Sequence, residues 1–223
     1  INNFVYVETH EGQTTDELGL LVMRLFYQYN CTHLVLDTNG AGIGVYDFII
    51  KDQYDPDYGV TYAAMTCIND TNMADRCKVK NANRVVWSIK ATADFNTRAA
   101  LALRAGFQNG RINLLKSEFD AEELVKKIRG YSKMTPAEQS MLKLPYLQTS
   151  FMINELINLD HEVKGTNIKI KERPGMRKDR YSALEYAYMI SQELVIKEKP
   201  RTEIKDLVSA LTIRSGKRAS EFD

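Results

Sequence analysis

Residues 32–49, THLVLDTNGAGIGVYDFI, set a short apolar run, a glycine-rich turn and a helix back to back. No other stretch constrains the fold as much. A brief apolar run bounded by polar residues reads as a strand buried on both faces, and a helix straight after it makes that strand half of a parallel β–α unit. RVVWSIKA (84–91) followed by DFNTRAALALRAGFQNG (94–110) repeats the pattern, the second helix closing at Gly110. Strand–helix alternation of this kind predicts an α/β domain with a mostly parallel sheet.

The remaining elements follow from periodicity and caps. FVYVE (4–8) alternates and predicts an outer strand, and TTDELGLLVMRLFYQYN (14–30) predicts a helix capped by Thr14 or Thr15. GVYDFIIKDQY reads as a short helix, and 52–83 as a long polar loop or insertion. RINLL (111–115) is a short extended segment and FDAEELVKKIRGY a helix. Thr135, Pro136 and Glu138 form a capping box with proline at the first helical position. A further helix fits LQTSFMINELINL, and HEVKGTNIKIKE turns around Gly165 as a β-hairpin. The last strong helix, RKDRYSALEYAYMISQELVI, is expected to turn Ala183, Leu184, Ala187, Tyr188 and Ile190 inward. One domain over 1–196 and a charged tail over 197–223 are the expected organisation.

Composition excludes several classes. Hydrophobic residues make up 44% and charged residues 26% of the 223, and the net charge is +1, so nucleic-acid binding has to come from local patches. Three cysteines without a CxxC pair and three scattered histidines argue against a disulfide framework or a zinc site. No apolar run approaches the roughly 18 residues of a membrane span, and no signal-peptide pattern opens the chain, so an intracellular protein without membrane partners is expected. The chain opens on Ile1 and runs almost at once into a strand pattern, which reads as a piece of something longer.

Asp37 is the first candidate for chemistry. Functional groups in open α/β sheets collect where loops leave the carboxyl ends of strands, so this acid suits a cation site. Asp-Thr-Asn-Gly is equally good turn chemistry, and the residues alone leave the two readings even. Gly40, Gly42 and Gly44 fail the dinucleotide fingerprint, which wants a small residue where Val45 stands; sharp turning and close backbone approach account for them instead. Asp179 opens the last helix, where an acid is favoured by the dipole. Around it lie Lys164, Lys169, Lys171, Arg173, Arg177, Lys178 and Arg180, a charge density suited to a phosphate backbone, with Glu162, Glu172 and Glu185 interspersed as on a solvated face. Asp47, Glu8 and Asp94 carry weaker signals, the last as a helix cap.

The order of these pieces resembles the nuclease domain of the large terminase subunit of tailed bacteriophages. THLVLDTNGAGIGVYDFI is similar to the family's second acidic motif, and KERPGMRKDRYSALEYAYMISQEL to its third. RVVWSIKATADFNTRAALALRAGFQNGRINLL is similar to the strand and helix between them. The resemblance covers about 30 to 192. It implies a ribonuclease-H-like (RuvC-like) mixed sheet flanked by helices, with the opening strand or strands, and the family's first acid, upstream of Ile1; no ATPase phosphate loop is present. It implies Asp37 and Asp179 as catalytic, metal-binding carboxylates for Mg2+ or Mn2+ in a two-metal site. It further implies double-stranded DNA as substrate, held by Lys169, Lys171, Arg173, Arg177, Lys178 and Arg180. Concatemeric viral DNA would be cut during packaging in the host cell cytoplasm, with the portal and the small terminase subunit as partners of the full-length protein. The alternatives are a non-catalytic DNA-binding or docking module of the packaging motor, and a resolvase- or transposase-like nuclease.

Overall fold

The computed structural model describes residues 1–198. Ile1–Ile190 form one compact unit; the chain from Ser191 belongs to a second, of which the end of the last helix is described. In chain order the first elements are β1 (Asn2–Asn3), α1 (Thr15–Gln28), β2 (Leu34–Asp37) and α2 (Ala41–Ile49). Then come β3 (Gln53–Asp55), β4 (Val60–Tyr62), β5 (Met65–Cys67), α3 (Thr71–Ala74) and β6 (Asn83–Ile89). The second half holds α4 (Ala93–Gln108), β7 (Ile112–Asn113), α5 (Glu118–Val125), α6 (Pro136–Ile157), β8 (Leu159–Lys164), β9 (Asn167–Glu172) and α7 (Asp179–Glu198).

The architecture is mixed α/β. A parallel sheet runs in the order β2-β6-β5, with Leu34 opposite Val86 and Asp37 opposite Ile89. The second half of β6 is buried from Val86 to Ile89, as an apolar run in a covered parallel strand should be. One core packs Met23 and Phe26 of α1 and Tyr46 and Ile49 of α2 onto Met65, Cys67 and Val86 of the sheet. A second gathers Leu103, Ile112, Met152, Tyr181, Leu184 and Tyr188 from α4, β7, α6 and α7. β8 and β9 form the expected antiparallel hairpin, turning at Gly165 with φ +61°. The α1 and α6 capping boxes form at Thr14 and Thr135.

Four expectations change. The polar stretch 52–83 is ordered: β3 and β4 make a hairpin, β5 is the third parallel strand, and α3 follows, capped by Asp70. FVYVE is not a strand. Only Asn2 and Asn3 pair with β7, and after Phe4 donates to the Asn113 carbonyl at 2.8 Å the two-residue partner offers nothing further. The two helices expected around Pro145 are one, α6, in which proline removes a single N–H. On α7 the buried residues include Tyr181 and Glu185, whereas Ala183 and Ala187 face out. Of the expected tail, 199–223 lie outside the described residues.

Order in 52–83 comes from Asp55. Its carboxylate is fully buried and takes the Arg24 guanidinium at both oxygens, Nε at 2.5 Å and Nη2 at 2.7 Å. The Asp57 amide donates to the same group at 3.0 Å, closing the hairpin turn. The Arg24 bond chiefly holds the Asp55 carboxyl down at about 2, against the opposing effect of burial. A depressed acid stabilises the fold above its unfolded pKa and loses that contribution as pH falls towards the folded value. The urea midpoint of the protein is therefore expected to exceed that of Asp55→Asn at neutral pH. The gap should close between about pH 4 and pH 2, and a gap constant down to pH 2 contradicts the assignment.

Candidate functional site

Asp37 ends β2 at the carboxyl edge of the parallel sheet. The ladder continues one residue past it: the Thr38 amide donates to the Ile89 carbonyl at 3.1 Å, and the Thr38 hydroxyl meets Ser88 Oγ at 2.7 Å. The Asn39 amide donates to Asp37 Oδ1 at 3.0 Å, so the Asx turn open to this sequence is formed. Gly40 then adopts φ +56° and starts α2. At Gly42 a Cβ would sit 1.7 Å from the Asp37 carbonyl oxygen, and at Gly44 one would sit 2.8 Å from Thr15 Cγ2. Gly40 serves the sharp turn and Gly42 and Gly44 the close packing expected of these glycines.

Asp37 faces α7. Its charge bears on the Tyr186 phenol, whose pKa is pushed up to about 12, first by burial and then by Asp37 and Glu185. Tyr186 donates to Asn96 Oδ1 at 3.3 Å, tying α7 to the first turn of α4, where Thr92 supplies the cap and Asp94 instead pairs with Arg98. Asp179 stands exposed on the first turn of α7. It precedes Tyr186 by seven residues, about two turns, and so shares its face of the helix roughly 10 Å further along the axis.

The start of α7 is anchored by Glu155, a buried acid of α6. One oxygen takes Arg180 Nη1 at 2.6 Å and the other the Tyr181 amide at 3.1 Å. Arg180 also donates to Gln148 at 3.1 Å and lies over the Phe151 ring, so its guanidinium is engaged within the fold. The other five basic candidates lie at or near the surface, four of them interlaced with acids. Lys171 pairs with Glu162, Arg173 with Asp160 at 3.3 Å, Arg177 with Glu11, and Lys178 with Glu172 at 3.4 Å. Lys169 is exposed on β9. Exposed pairs of this kind are worth little, and a phosphate can replace the acid.

Of the weaker candidates, Asp47 receives Arg76 Nε at 2.8 Å, and Glu8 accepts from Tyr6 at 2.6 Å and lies 3.0 Å from His10 Nε2. Neither faces Asp37 through a recorded contact. Three buried acids escaped the sequence reading: Asp55, described above, Glu155 and Glu185. The interspersed charges leave a solvated face open for Glu185, but its spacing from Tyr181 and Tyr188 puts it inward. It accepts the Tyr181 hydroxyl at 2.7 Å, and burial raises its pKa to about 7.

Among the described residues no three His, Cys, Asp or Glu side chains gather to hold an ion. The donors that Asp37 and Asp179 offer are all oxygen. Each is a donor of the type a hard divalent cation takes, and no contact among the described residues joins the two.

The contact at Gly42 fixes how α2 leaves Asp37. Gly42→Ala is expected to cost about 3 kcal/mol or more in urea unfolding, beyond the ordinary range for overpacking because the obstacle is backbone. It should also shift the Asp37 amide resonance; a variant of native stability contradicts the close approach. Comparison with family models, with curated proteins and with solved structures finds no match.

Proposed function

We propose that the chain is the nuclease part of a terminase large subunit, of ribonuclease-H-like fold, cutting concatemeric viral duplex DNA with Mg2+ or Mn2+. The observation that carries the reading is the position of Asp37. It ends a parallel strand on a clamped backbone, and its charge reaches Tyr186 on the helix that Asp179 opens.

The chemistry is hydrolysis of a phosphodiester: water adds to phosphorus, one P–O ester bond breaks, and the departing oxygen takes a proton. Asp37 and Asp179 would hold the divalent cation, which when bound supplies water activation and neutralises charge on the leaving oxygen. Lys169, Lys171, Arg173 and Arg177 meet the phosphates on either side of the cut, the last three exchanging their acidic partners for phosphate oxygens. They carry no base recognition, in keeping with cutting of low sequence preference. In this reading the full-length protein works in the host cytoplasm with the portal and the small terminase subunit.

Plasmid nicking in Mg2+ or Mn2+ by a protein extended upstream of Ile1 tests the proposal. Asp37→Ala and Asp179→Ala should each lower the rate by at least about a hundredfold, the scale of losing preorganised charge stabilisation, with duplex binding retained. Cutting that either variant leaves unchanged removes the assignment. Salt-sensitive duplex binding without any cleavage identifies a docking module instead, and preference for branched over linear DNA a resolvase-like enzyme.

A further inference from the structure

A cavity of about 370 Å3 lies between α4, the β8–β9 hairpin and α7, and neither carboxylate of the proposed cleavage site lines it. Its walls bring two helix starts together: Ala93 and Asn96 from the first turn of α4, and Tyr181 and Ser182 from the first turn of α7. Both starts are already capped within the fold, α4 by Thr92 on the Phe95 amide and α7 by Glu155 on the Tyr181 amide, so an anion in this space is met by side chains. Lys164, Lys169 and Lys178 add three cations to the lining. Two of them hold replaceable acids, Lys164 on Glu162 at 3.6 Å and Lys178 on Glu172 at 3.4 Å.

An acid lines the same cavity, which a plain anion site would exclude. Glu185 is 3% exposed and held through Tyr181, and burial keeps its proton to about pH 7. Protonated, it can donate to an anion; ionised, it repels one. The groups that face it are Tyr181, Tyr186 and Lys178 on α7 and the residue preceding it, Lys164 and Lys169 on the hairpin, and the amide of Asn96 on α4. Ile168, Ile170 and the two tyrosine rings supply apolar wall, and Asn96 and Asn167 supply amides. The volume falls in the range of small-molecule pockets and exceeds what a bare phosphate fills.

We propose that this cavity binds the phosphate monoester of a nucleotide, with the phosphate among the three lysines and the nucleoside against the tyrosine and isoleucine wall. Hydrolysis of a phosphodiester leaves one phosphate monoester and one hydroxyl, so strand cleavage would generate this ligand on a DNA end. The inference rests on the proposed function for that source of ligand; the cavity itself does not depend on it.

Binding is measured on the whole chain by calorimetry in EDTA, where no cleavage contributes, so failure of the nuclease reading leaves this test intact. Thymidine 5′-monophosphate should bind saturably and thymidine should not. Lys169→Ala should weaken the monophosphate several-fold. Above pH 7 the monoester is already largely dianionic, so the decline from pH 7 to 8.5 reports the loss of the Glu185 proton. Affinity should fall several-fold over that range in the wild type, since a mutual shift of one pKa unit is about tenfold in binding, and stay flat in Glu185→Gln. A 5′-phosphorylated hairpin DNA that binds better than its unphosphorylated form assigns the site to DNA ends. Equal binding of the two, with the monophosphate still bound, assigns it to free nucleotide. Equal affinity for thymidine and its monophosphate, no saturable binding, or an unchanged pH profile in Glu185→Gln overturns the proposal. Should Glu185→Gln fail to fold, an unweakened Lys169→Ala does the same.

Discussion

The buried carboxylate of Glu155 is the contact on which the functional half of the molecule depends. It takes a guanidinium from Arg180 and a backbone amide from Tyr181, at the place where α7 still has unpaired N–H groups. A charge so little exposed is stable only with all its hydrogen bonds made, so the pairing fixes both the start of α7 and its rotation about its own axis. Everything later on that helix inherits this setting. Tyr186 reaches Asn96, Glu185 turns into the cavity, and Asp179 presents from the first turn.

A different device sets the other half of the candidate site. At the end of β2 the chain has only Thr38, Asn39 and Gly40 before α2 begins, and Gly42 already lies against the Asp37 carbonyl. Strand and helix are thus in backbone contact with no side chain between them. Gly44 lies against the Thr15 side chain, so that α1 and α2 approach closely. The acid at the strand end is positioned by main chain, which responds less than side chains do to changes elsewhere in the core.

Much of the fold was legible because its signals are local. The apolar run into Asp37, the capping boxes at Thr14 and Thr135, and the turn at Gly165 each depend on a few adjacent residues. What stayed hidden depends on distant partners. β3, β4 and β5 have three residues each, too few to show a period, and they exist because Asp55 meets Arg24 and because Met65–Cys67 can pair with β6. FVYVE shows the converse, a good strand pattern with no backbone among the described residues to pair with beyond Phe4. In the site, Asp37 was legible as a strand-end acid, but the commitment of Arg180 to Glu155 was not. A basic residue amid other basic residues looks alike in sequence whether it faces solvent or a buried acid.

The acids interleaved with the basic hairpin have a consequence for any polyanion that binds there. Glu162, Asp160, Glu11 and Glu172 already occupy the cations that a phosphate would take. They act as tethered counterions, and a bound strand must displace them before it releases free salt. The count of ions exchanged on binding should therefore fall below the count of basic side chains in contact, because part of the exchange takes place inside the protein. A face built in this way lets go of a polyanion readily, because the displaced acids stand ready to take their cations back.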